Sequence, residues 1–278
     1  ECNEWHVLNP SLMVQRVCFL QKFPSCEVTV LRLQSKKHFD SLYFLNFTKI
    51  LINIVGSKNK LKRFKENETF ENVFQPTREE VVSNSFPLRG KWNKDFFKND
   101  NPLVLELGCG KGEYSVGLAE RFPNKNFIGI DIKGARFWRG AKTAVDSGMN
   151  NVAFIRTQIE LINHIFDANE VDEIWITFPD PQIKYKRTKH RMTNSEFLKL
   201  YKTILKPDGV VNLKTDSEFM HGYTLGLLHG EGHEVLYANH NVYVNEGSPE
   251  EVTAFQTFYE KQYLEINKAI TYIRFKIK

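Results

Sequence analysis

From residue 102 onward, short and largely apolar runs alternate with longer segments in which apolar residues recur three and four positions apart. The short runs are typical of buried strands, and the longer segments are typical of amphipathic helices. The pattern predicts strands at residues 103–107, 126–130, 152–155, 171–177, 209–213, 234–238 and 270–276. It predicts helices at residues 113–122, 135–145 and 193–205, one that ends near Leu228, and one that begins at Ser248. This alternation predicts an α/β fold with a mostly parallel sheet of seven strands and helices on both faces.

Two of these helices begin with sequences that are typical of helix caps. Thr193 and Glu196 have the spacing of a capping box, in which each side chain bonds the backbone N–H of the other residue. Ser248 precedes Pro249, which predicts a serine cap followed by proline at the first helical position.

The first hundred residues differ from the rest of the chain. Residues 1–54 contain no Gly and no Ala, and their apolar stretch at 39–54 has no clear helical or strand period. We interpret residues 1–54 as an N-terminal extension outside the functional unit, with a small extra domain as the alternative. Residues 55–101 are predicted to be a basic, loop-rich arm in which Pro87–Trp92 forms a turn with an aromatic anchor. Residues 102–278 form the main domain.

Composition excludes several classes of protein. The 278 residues are 41% hydrophobic and 26% charged, which is close to the globular average. The apolar runs are too short for a membrane span, so no membrane association is expected. The four cysteines and eight histidines lack metal-site spacing, which predicts no bound metal and a reducing, cytoplasmic environment. Nothing in the sequence distinguishes a monomer from a homodimer.

A glycine-rich turn follows the first predicted strand of the main domain. Gly108, Gly110 and Gly112 lie where this strand meets a helix, and Asp131 ends the next strand, where a carboxylate can bind ribose hydroxyls. Glu106 and Glu113 flank the turn; they would repel a pyrophosphate but suit a ligand that carries an ammonium and a sulfonium group. We therefore expect S-adenosylmethionine as the cofactor, and the turn resembles motif I of the Rossmann-like methyltransferases.

A second motif follows the fourth predicted strand of the main domain. Asp180 lies between Pro179 and Pro181, and ligands of open α/β sheets bind outside the carboxyl ends of the strands, so Asp180 should face the methyl group. The segment 184–191 that follows contains five cations and a histidine. Beside a methyl donor, such a run predicts a phosphate-binding edge for a nucleic acid.

Four motifs in order resemble those of the bacterial tRNA (guanine-N7)-methyltransferase family. They are Phe178–Pro181, the basic run that ends at Arg191, Lys214–Asp216, and Thr257–Glu260 in the last predicted helix. The resemblance begins near residue 56 and continues to the end of the chain. It implies a Rossmann-like fold with an antiparallel last strand, and methylation of N7 of guanosine 46 in the variable loop of tRNA.

The resemblance also implies roles for individual residues. It implies that the cofactor contacts Glu106, Gly108, Gly110, Gly112, Asp131, Gln158 and Asp180, and that Asp180 is also the catalytic residue. It implies that the target nucleoside contacts Lys184, Asp216, Thr257, Phe258, Tyr259 and Glu260. The RNA backbone would meet Lys186, Arg187, Lys189, His190 and Arg191. In this chain Gln158 stands where many members have an acid, and Gln182 where many have tryptophan.

The reaction needs no general base, because guanine N7 carries an in-plane lone pair and no proton. The enzyme must instead align the base with the methyl group and stabilise the cationic purine that forms. We expect Asp180 to balance this charge, and Asp216 or Glu260 to accept hydrogen bonds from the guanine edge.

Other functions remain open from the sequence. An adenine-N6 methyltransferase usually has an aromatic residue after the second proline, where this chain has Gln182. A non-catalytic RNA-binding partner with the same fold would be expected to lose the cofactor acids, yet Glu106, Asp131 and Asp180 are present. A dehydrogenase is disfavoured by the glycine spacing.

Overall fold

The computed structural model describes the backbone of residues 5–9, 12–15 and 30–32, together with residues 59–83 and 85–278. The chain divides into two units, residues 1–57 and 58–278. In the first unit, strands β1 (Trp5–Asn9), β2 (Leu12–Gln15) and β3 (Val30–Arg32) form an antiparallel sheet in the order β1-β2-β3. The remainder of the predicted extension, including the stretch at 39–54, lies outside the described residues.

The second unit contains an eight-stranded sheet. Its strands are β4 (Val73–Phe74), β5 (Leu103–Leu107), β6 (Asn126–Ile130), β7 (Val152–Ile155), β8 (Val171–Thr177), β9 (Leu205–Thr215), β10 (Glu234–Asn239) and β11 (Thr271–Lys276). They lie in the order β10-β11-β9-β8-β5-β6-β7-β4. Strands β4 to β9 are parallel, and β11 is antiparallel to both β9 and β10. The predicted α/β fold with an antiparallel last strand is confirmed.

Helices connect these strands and cover both faces of the sheet. They are α1 (residues 59–67), α2 (Arg78–Val82), α3 (Glu113–Arg121), α4 (Gly134–Asp146), α5 (Ser195–Ile204), α6 (Glu218–Gly230), α7 (Glu250–Thr253) and α8 (Phe258–Glu265). Trp92–Phe97 forms one π-helical turn, and Ile159–His164 and Tyr185–His190 form 3₁₀ helices. None of the helices within the described residues is long and apolar enough to cross a membrane.

Two apolar layers pack the helices against the sheet. Alternate side chains of β5 enter opposite layers, with Leu105 on one face and Val104 on the other. Helices α5 and α6 pack in the first layer, whereas α3 and α4 pack in the second. Because side chains alternate along a strand, the uninterrupted apolar run of β5 is explained by burial on both faces. The predicted helical cover on both faces is confirmed.

The sheet of the second unit has eight strands, one more than the seven predicted. Strand β4 lies within the segment predicted to be loop-rich, and it pairs in parallel with β7 at the edge of the sheet. Two residues are too few to produce a detectable alternation, so the pattern of apolar positions did not reveal this strand. Strand β9 also extends beyond the predicted 209–213 at both ends.

Both predicted helix caps are wrong in detail. The cap of α5 is Asn194, whose side chain accepts from the backbone N–H of Phe197, while Thr193 is buried and its hydroxyl bonds that of Thr224. Pro249 holds the cap position of α7, and the Ser248 hydroxyl donates to a backbone carbonyl outside that helix. In both cases a tertiary contact uses the hydroxyl that the sequence offered as a cap.

The predicted turn with its aromatic anchor is confirmed. Residues 87–91 form turns, and Trp92 is fully buried. The indole N–H of Trp92 donates to the carbonyl of Ile165 at 3.2 Å. The ring of Trp92 stacks on that of Phe166, with 5.7 Å between the ring centroids. This segment therefore contributes directly to the core.

Candidate active site

The glycine-rich turn lies at the carboxyl edge of the sheet, between β5 and α3. The backbone N–H groups of Gly108 and Cys109 donate to the carbonyl of Ile130 at 2.8 and 3.1 Å, which ties the turn to the end of β6. A Cβ atom added at Gly108 would meet only the Met192 side chain, at 3.7 Å or more, and one at Gly110 only the Gly108 carbonyl oxygen, at 3.9 Å. The space beside these two glycines is therefore open to a ligand.

Gly112 has a packing role, and its predicted contact with the cofactor stays a prediction. Its φ is +73°, and an added Cβ would lie 2.5 Å from the ring of Phe154 on β7. Added Cβ atoms at Gly129 on β6 and Gly140 on α4 would approach the same ring to 2.8 and 2.9 Å. These three glycines allow α3 and α4 to approach the sheet closely around one aromatic ring.

Glu106 lies near the end of β5, and its side chain points into the protein, where it is 5% exposed. Its Oε2 accepts from the backbone N–H and the hydroxyl of Ser115 at 2.9 and 2.5 Å, and its Oε1 accepts from the Thr177 hydroxyl at 2.6 Å. Burial raises the pKa of Glu106 to about 7, although these hydrogen bonds oppose the shift. The carboxylate thus joins β5, α3 and β8 where they meet at the glycine turn.

Asp131 follows the last residue of β6 and is half-buried. Its Oδ2 accepts from the backbone N–H of Gly110 at 3.0 Å, and its Oδ1 accepts from the N–H of Lys133 at 2.7 Å. These two bonds fix the orientation of the carboxylate beside the open part of the turn. Its position fits the predicted acceptor for ribose hydroxyls.

Gln158 follows β7 at the start of a 3₁₀ helix, and its side chain is exposed. Its Oε1 accepts a hydrogen bond of 2.6 Å from Arg78 at the start of α2. The predicted acceptor for an adenine amino group therefore has a cationic partner in this structure.

Asp180 lies on the loop that follows β8, and its side chain is exposed. The backbone N–H and the side-chain amide of Gln182 donate to its two carboxylate oxygens, at 3.2 and 2.9 Å. Phe178 and Gln182 have φ values of +48° and +46°, which non-glycine residues rarely adopt. Two residues that flank Asp180 therefore have an uncommon backbone conformation, as residues of functional loops often do.

The basic run divides into an exposed part and a buried residue. The exposed side chains are those of Lys184, Lys186, Arg187, Lys189 and His190, the last four within the 3₁₀ helix. Arg191, by contrast, is only 5% exposed, and its guanidinium group donates to the backbone carbonyls of Gln182 and Ile183. The run therefore presents a cationic surface beside Asp180, but Arg191 faces the protein.

Glu260 is part of a buried network instead of an open binding surface. Its Oε1 lies 2.5 Å from Nζ of Lys214, and both side chains are fully buried. The ammonium group also donates to the carbonyl of Val252 at 2.5 Å, and the Tyr243 hydroxyl donates to Glu260 at 2.6 Å. Burial lowers the pKa of Lys214, and the carboxylate of Glu260 opposes that shift. Glu260 also completes a capping box with Thr257 at the start of α8.

The other predicted substrate residues lie just after β9 and at the start of α8. Asp216 follows β9 and pairs with Lys268. Phe258 and Tyr259 are about half exposed, and the ammonium group of Lys111 lies 4.3 and 5.3 Å from their ring centroids. The start of α8 is thereby tied to the glycine turn.

All of the predicted site residues lie on segments at the carboxyl edge of the sheet or on α8, which packs near it. Sequence reasoning missed most of the side chains that hold them there, namely Ser115, Thr177, Arg78 and Tyr243, and it named Lys214 only as part of the motif Lys214–Asp216. The only available signal was the position of Lys214 beside Asp216, because the other contacts join residues that are distant in sequence. Among the described residues, no group of His, Cys, Asp and Glu could hold a metal ion.

Comparisons with known proteins agree with this architecture. A family model described as "Putative methyltransferase" matches residues 100–273. The tRNA (guanine-N(7)-)-methyltransferase of Christiangramia forsetii is 75% identical over 224 residues, which cover 81% of this chain and all of that relative. The enzyme of the same name from Bacteroides thetaiotaomicron is 46% identical over 79% of this chain and 86% of its own length.

A solved structure shares the fold at low sequence identity. The 16S rRNA methyltransferase KamB superposes with a TM-score of 0.52 and 13% identity, covering 66% of this chain and 92% of its own. At this identity the likeness concerns the fold alone.

Proposed function

We propose the detailed reaction of this chain from one premise: the chain belongs to the family of tRNA (guanine-N7)-methyltransferases. Its reaction is the transfer of a methyl group from S-adenosylmethionine to N7 of a guanosine in tRNA. We propose further that the target is guanosine 46 in the variable loop, because the motifs that resemble this family are present in order from residue 178 to residue 260.

The residues around the glycine turn fit the cofactor. When bound, S-adenosylmethionine supplies an electrophilic methyl group on a cationic sulfur. The open space beside Gly108 and Gly110 would allow the cofactor to approach the protein backbone closely. Asp131 would accept hydrogen bonds from the ribose hydroxyls of the cofactor. Gln158 would accept from the adenine amino group while Arg78 holds its side chain. Glu106 would act from the interior of the protein, where it fixes the turn and adds negative charge near the ammonium group of the cofactor.

Asp180 would stabilise charge without removing a proton. Guanine N7 attacks with its lone pair, and the purine becomes cationic as the new bond forms. A carboxylate held in a fixed position stabilises that charge without having to reorganise during the reaction. Gln182 holds the Asp180 carboxylate in position, since it donates two hydrogen bonds to it.

The guanosine would lie between the loop after β8 and the start of α8. We propose that Lys184 and Asp216 contact the nucleoside, and that Phe258 and Tyr259 provide exposed aromatic surface for it. Thr257 and Glu260 would act indirectly, because their polar groups are used in the capping box and in the buried pair with Lys214.

The tRNA backbone would bind along the exposed part of the basic run. The side chains there are those of Lys186, Arg187, Lys189 and His190. Phosphate contacts of this kind fix the register of the RNA and weaken as salt concentration rises.

The observation that carries this proposal is the position of Asp180. Strand β8 lies next to β5 in the sheet, so the loop that holds Asp180 emerges beside the glycine turn. Because ligands of open α/β sheets bind at this edge, the carboxylate and the methyl donor would share one site.

The test is methylation of tRNA that lacks modifications. With labelled S-adenosylmethionine we expect 7-methylguanosine on nucleoside analysis, and no product when guanosine 46 is replaced by adenosine. We expect Asp180→Asn to lower turnover by about 100-fold, the scale at which loss of a positioned electrostatic group acts. Product at another guanosine would refute position 46, and wild-type turnover by the variant would refute the role of Asp180.

A further inference from the structure

Arg191 differs from the other cations of its run. The lysines, the arginine and the histidine between residues 184 and 190 have exposed side chains. The side chain of Arg191, by contrast, is 5% exposed. A cation so deeply buried cannot contribute to RNA binding in the way that exposed cations do. Its role must be sought among the groups that it contacts within the protein.

The guanidinium group of Arg191 joins the loop after β8 to α6. Its Nε and Nη2 atoms both lie 3.2 Å from the carbonyl oxygen of Gln182, and Nη2 also lies 3.2 Å from that of Ile183. On its other side the group lies 4.4 Å from the ring centroid of Tyr223 and 4.9 Å from that of Phe219. The planar guanidinium group suits both contacts, since it donates as a fork at its edge and stacks on aromatic rings.

The carbonyls that Arg191 holds belong to the residues that determine the position of Asp180. Gln182 has a φ of +46° and donates to both oxygens of the Asp180 carboxylate. A non-glycine residue keeps such a conformation only when its surroundings impose it. Arg191 provides that constraint, because it bonds the Gln182 carbonyl twice.

We infer that Arg191 is a positioning residue: it fixes the Gln182–Ile183 backbone against α6, and through Gln182 it holds the Asp180 carboxylate in place for methyl transfer. The inference rests on the proposed catalytic role of Asp180. It assigns Arg191 to turnover, and it leaves binding of the tRNA backbone to the exposed cations of the run.

The test compares Arg191 with an exposed cation of the same run. Arg191→Lys and Arg191→Met should lower kcat by about 10- to 100-fold, because small displacements of a positioned group have effects of that size. Their Kd for tRNA should stay within about twofold of the wild-type value, with an unchanged dependence on salt. Lys189→Met should weaken tRNA binding and reduce the slope of log K against log salt by about 0.7 to 0.9.

A second comparison separates positioning from a general loss of structure. In an Asp180→Asn background, measured by single turnover, Arg191→Lys should have little further effect on the rate, since residues that act through one another are not additive. If Arg191→Met weakened tRNA binding and flattened the salt dependence as Lys189→Met does, Arg191 would be an RNA contact and the inference would be wrong. Equal rate losses with and without the Asp180 carboxylate would also overturn it. Failure of the wild-type protein to form 7-methylguanosine would instead refute the proposed function.

Discussion

Individual side chains at this site serve more than one purpose, and Glu106 is the clearest case. It was predicted as a cofactor acid, and the structure gives its carboxylate three hydrogen bonds inside the protein. Its pKa is raised to about 7 by burial, so near neutral pH a substantial fraction of the protein carries Glu106 protonated. A cationic ligand nearby would favour the ionised form, which couples binding to proton release.

Glu106 should therefore make stability depend on pH. Its folded pKa of about 7 exceeds the unfolded value of 4.5, so between these values the unfolded chain releases the proton first and stability falls as pH rises. The full difference corresponds to roughly 3 kcal/mol, as an order of magnitude. Glu106→Gln keeps an acceptor and cannot titrate, so its free energy of unfolding should rise relative to wild type from pH 4.5 to 7. Denaturant unfolding of both proteins without cofactor measures this, and parallel pH curves would refute it.

The side chains that carry the chemistry could be predicted from sequence, but their partners could not. Gly108, Gly110 and Asp131 follow from the spacing of a turn and an acid across one strand–helix–strand unit. Thr177 bonds Glu106 because β8 pairs with β5 and places Thr177 two residues beyond Trp175, the residue opposite Glu106. Ser115 bonds it because α3 packs against the end of β5. Such contacts depend on which strands become neighbours, and local patterns do not contain that information.

Elements at the carboxyl edge are joined by the buried pair of Lys214 and Glu260. Lys214 lies on β9, its ammonium group donates to the carbonyl of Val252 on α7, and Glu260 lies in the first turn of α8. Both side chains are fully buried, so each charge depends on the other for compensation. The pair therefore fixes α7 and α8 relative to the end of β9.

Removing one member of this pair should destabilise the protein strongly. Lys214→Met leaves the carboxylate of Glu260 buried without its cation, and we expect a loss of about 3–5 kcal/mol in the free energy of unfolding. The double variant Lys214→Met with Glu260→Gln should be more stable than Lys214→Met alone, because no unpaired charge remains. Denaturant unfolding of the wild type, both single variants and the double variant tests this coupling. Strictly additive losses would show that the two charges do not depend on each other.

Buried strands were predicted better than helix caps and short edge strands. Strands β5, β6, β7 and β8 have the predicted bounds, because runs buried on both faces leave an unambiguous apolar pattern. The cap of α5 was misplaced by one residue, since Thr193 and Asn194 are both suitable caps and only the partner of Thr193 decides between them. Strand β4 was missed, because two residues form no pattern.

At the scale of the whole molecule, the boundaries of the functional unit remain a proposal. We propose residues 1–54 as an extension, 55–101 as an arm, and 102–278 as the catalytic domain. The arm is closely integrated with that domain, since Trp92 is buried in its core and β4 extends its sheet. The net charge of +5 is concentrated in part along the exposed basic run beside Asp180.

Deletion of residues 1–54 should leave catalysis intact. We expect the shortened protein to form 7-methylguanosine in tRNA with kcat and KM within about twofold of the full chain, because the proposed site lies entirely within residues 78–260. Steady-state kinetics and thermal unfolding of both proteins provide the comparison. A large loss of activity or of cooperative unfolding would show that the first residues belong to the functional unit.

The packing around Phe154 limits which substitutions this sequence can accept. Gly112, Gly129 and Gly140 lie on three different segments, yet an added methyl group at any one of them would collide with that single ring. A smaller side chain at position 154 would not by itself make room, because a methyl group at Gly140 would also lie 2.9 Å from the carbonyl oxygen of Lys111, and one at Gly129 would lie 2.9 Å from the Ser115 hydroxyl oxygen. All three glycines are therefore expected to tolerate no larger residue, even in variants in which Phe154 is exchanged.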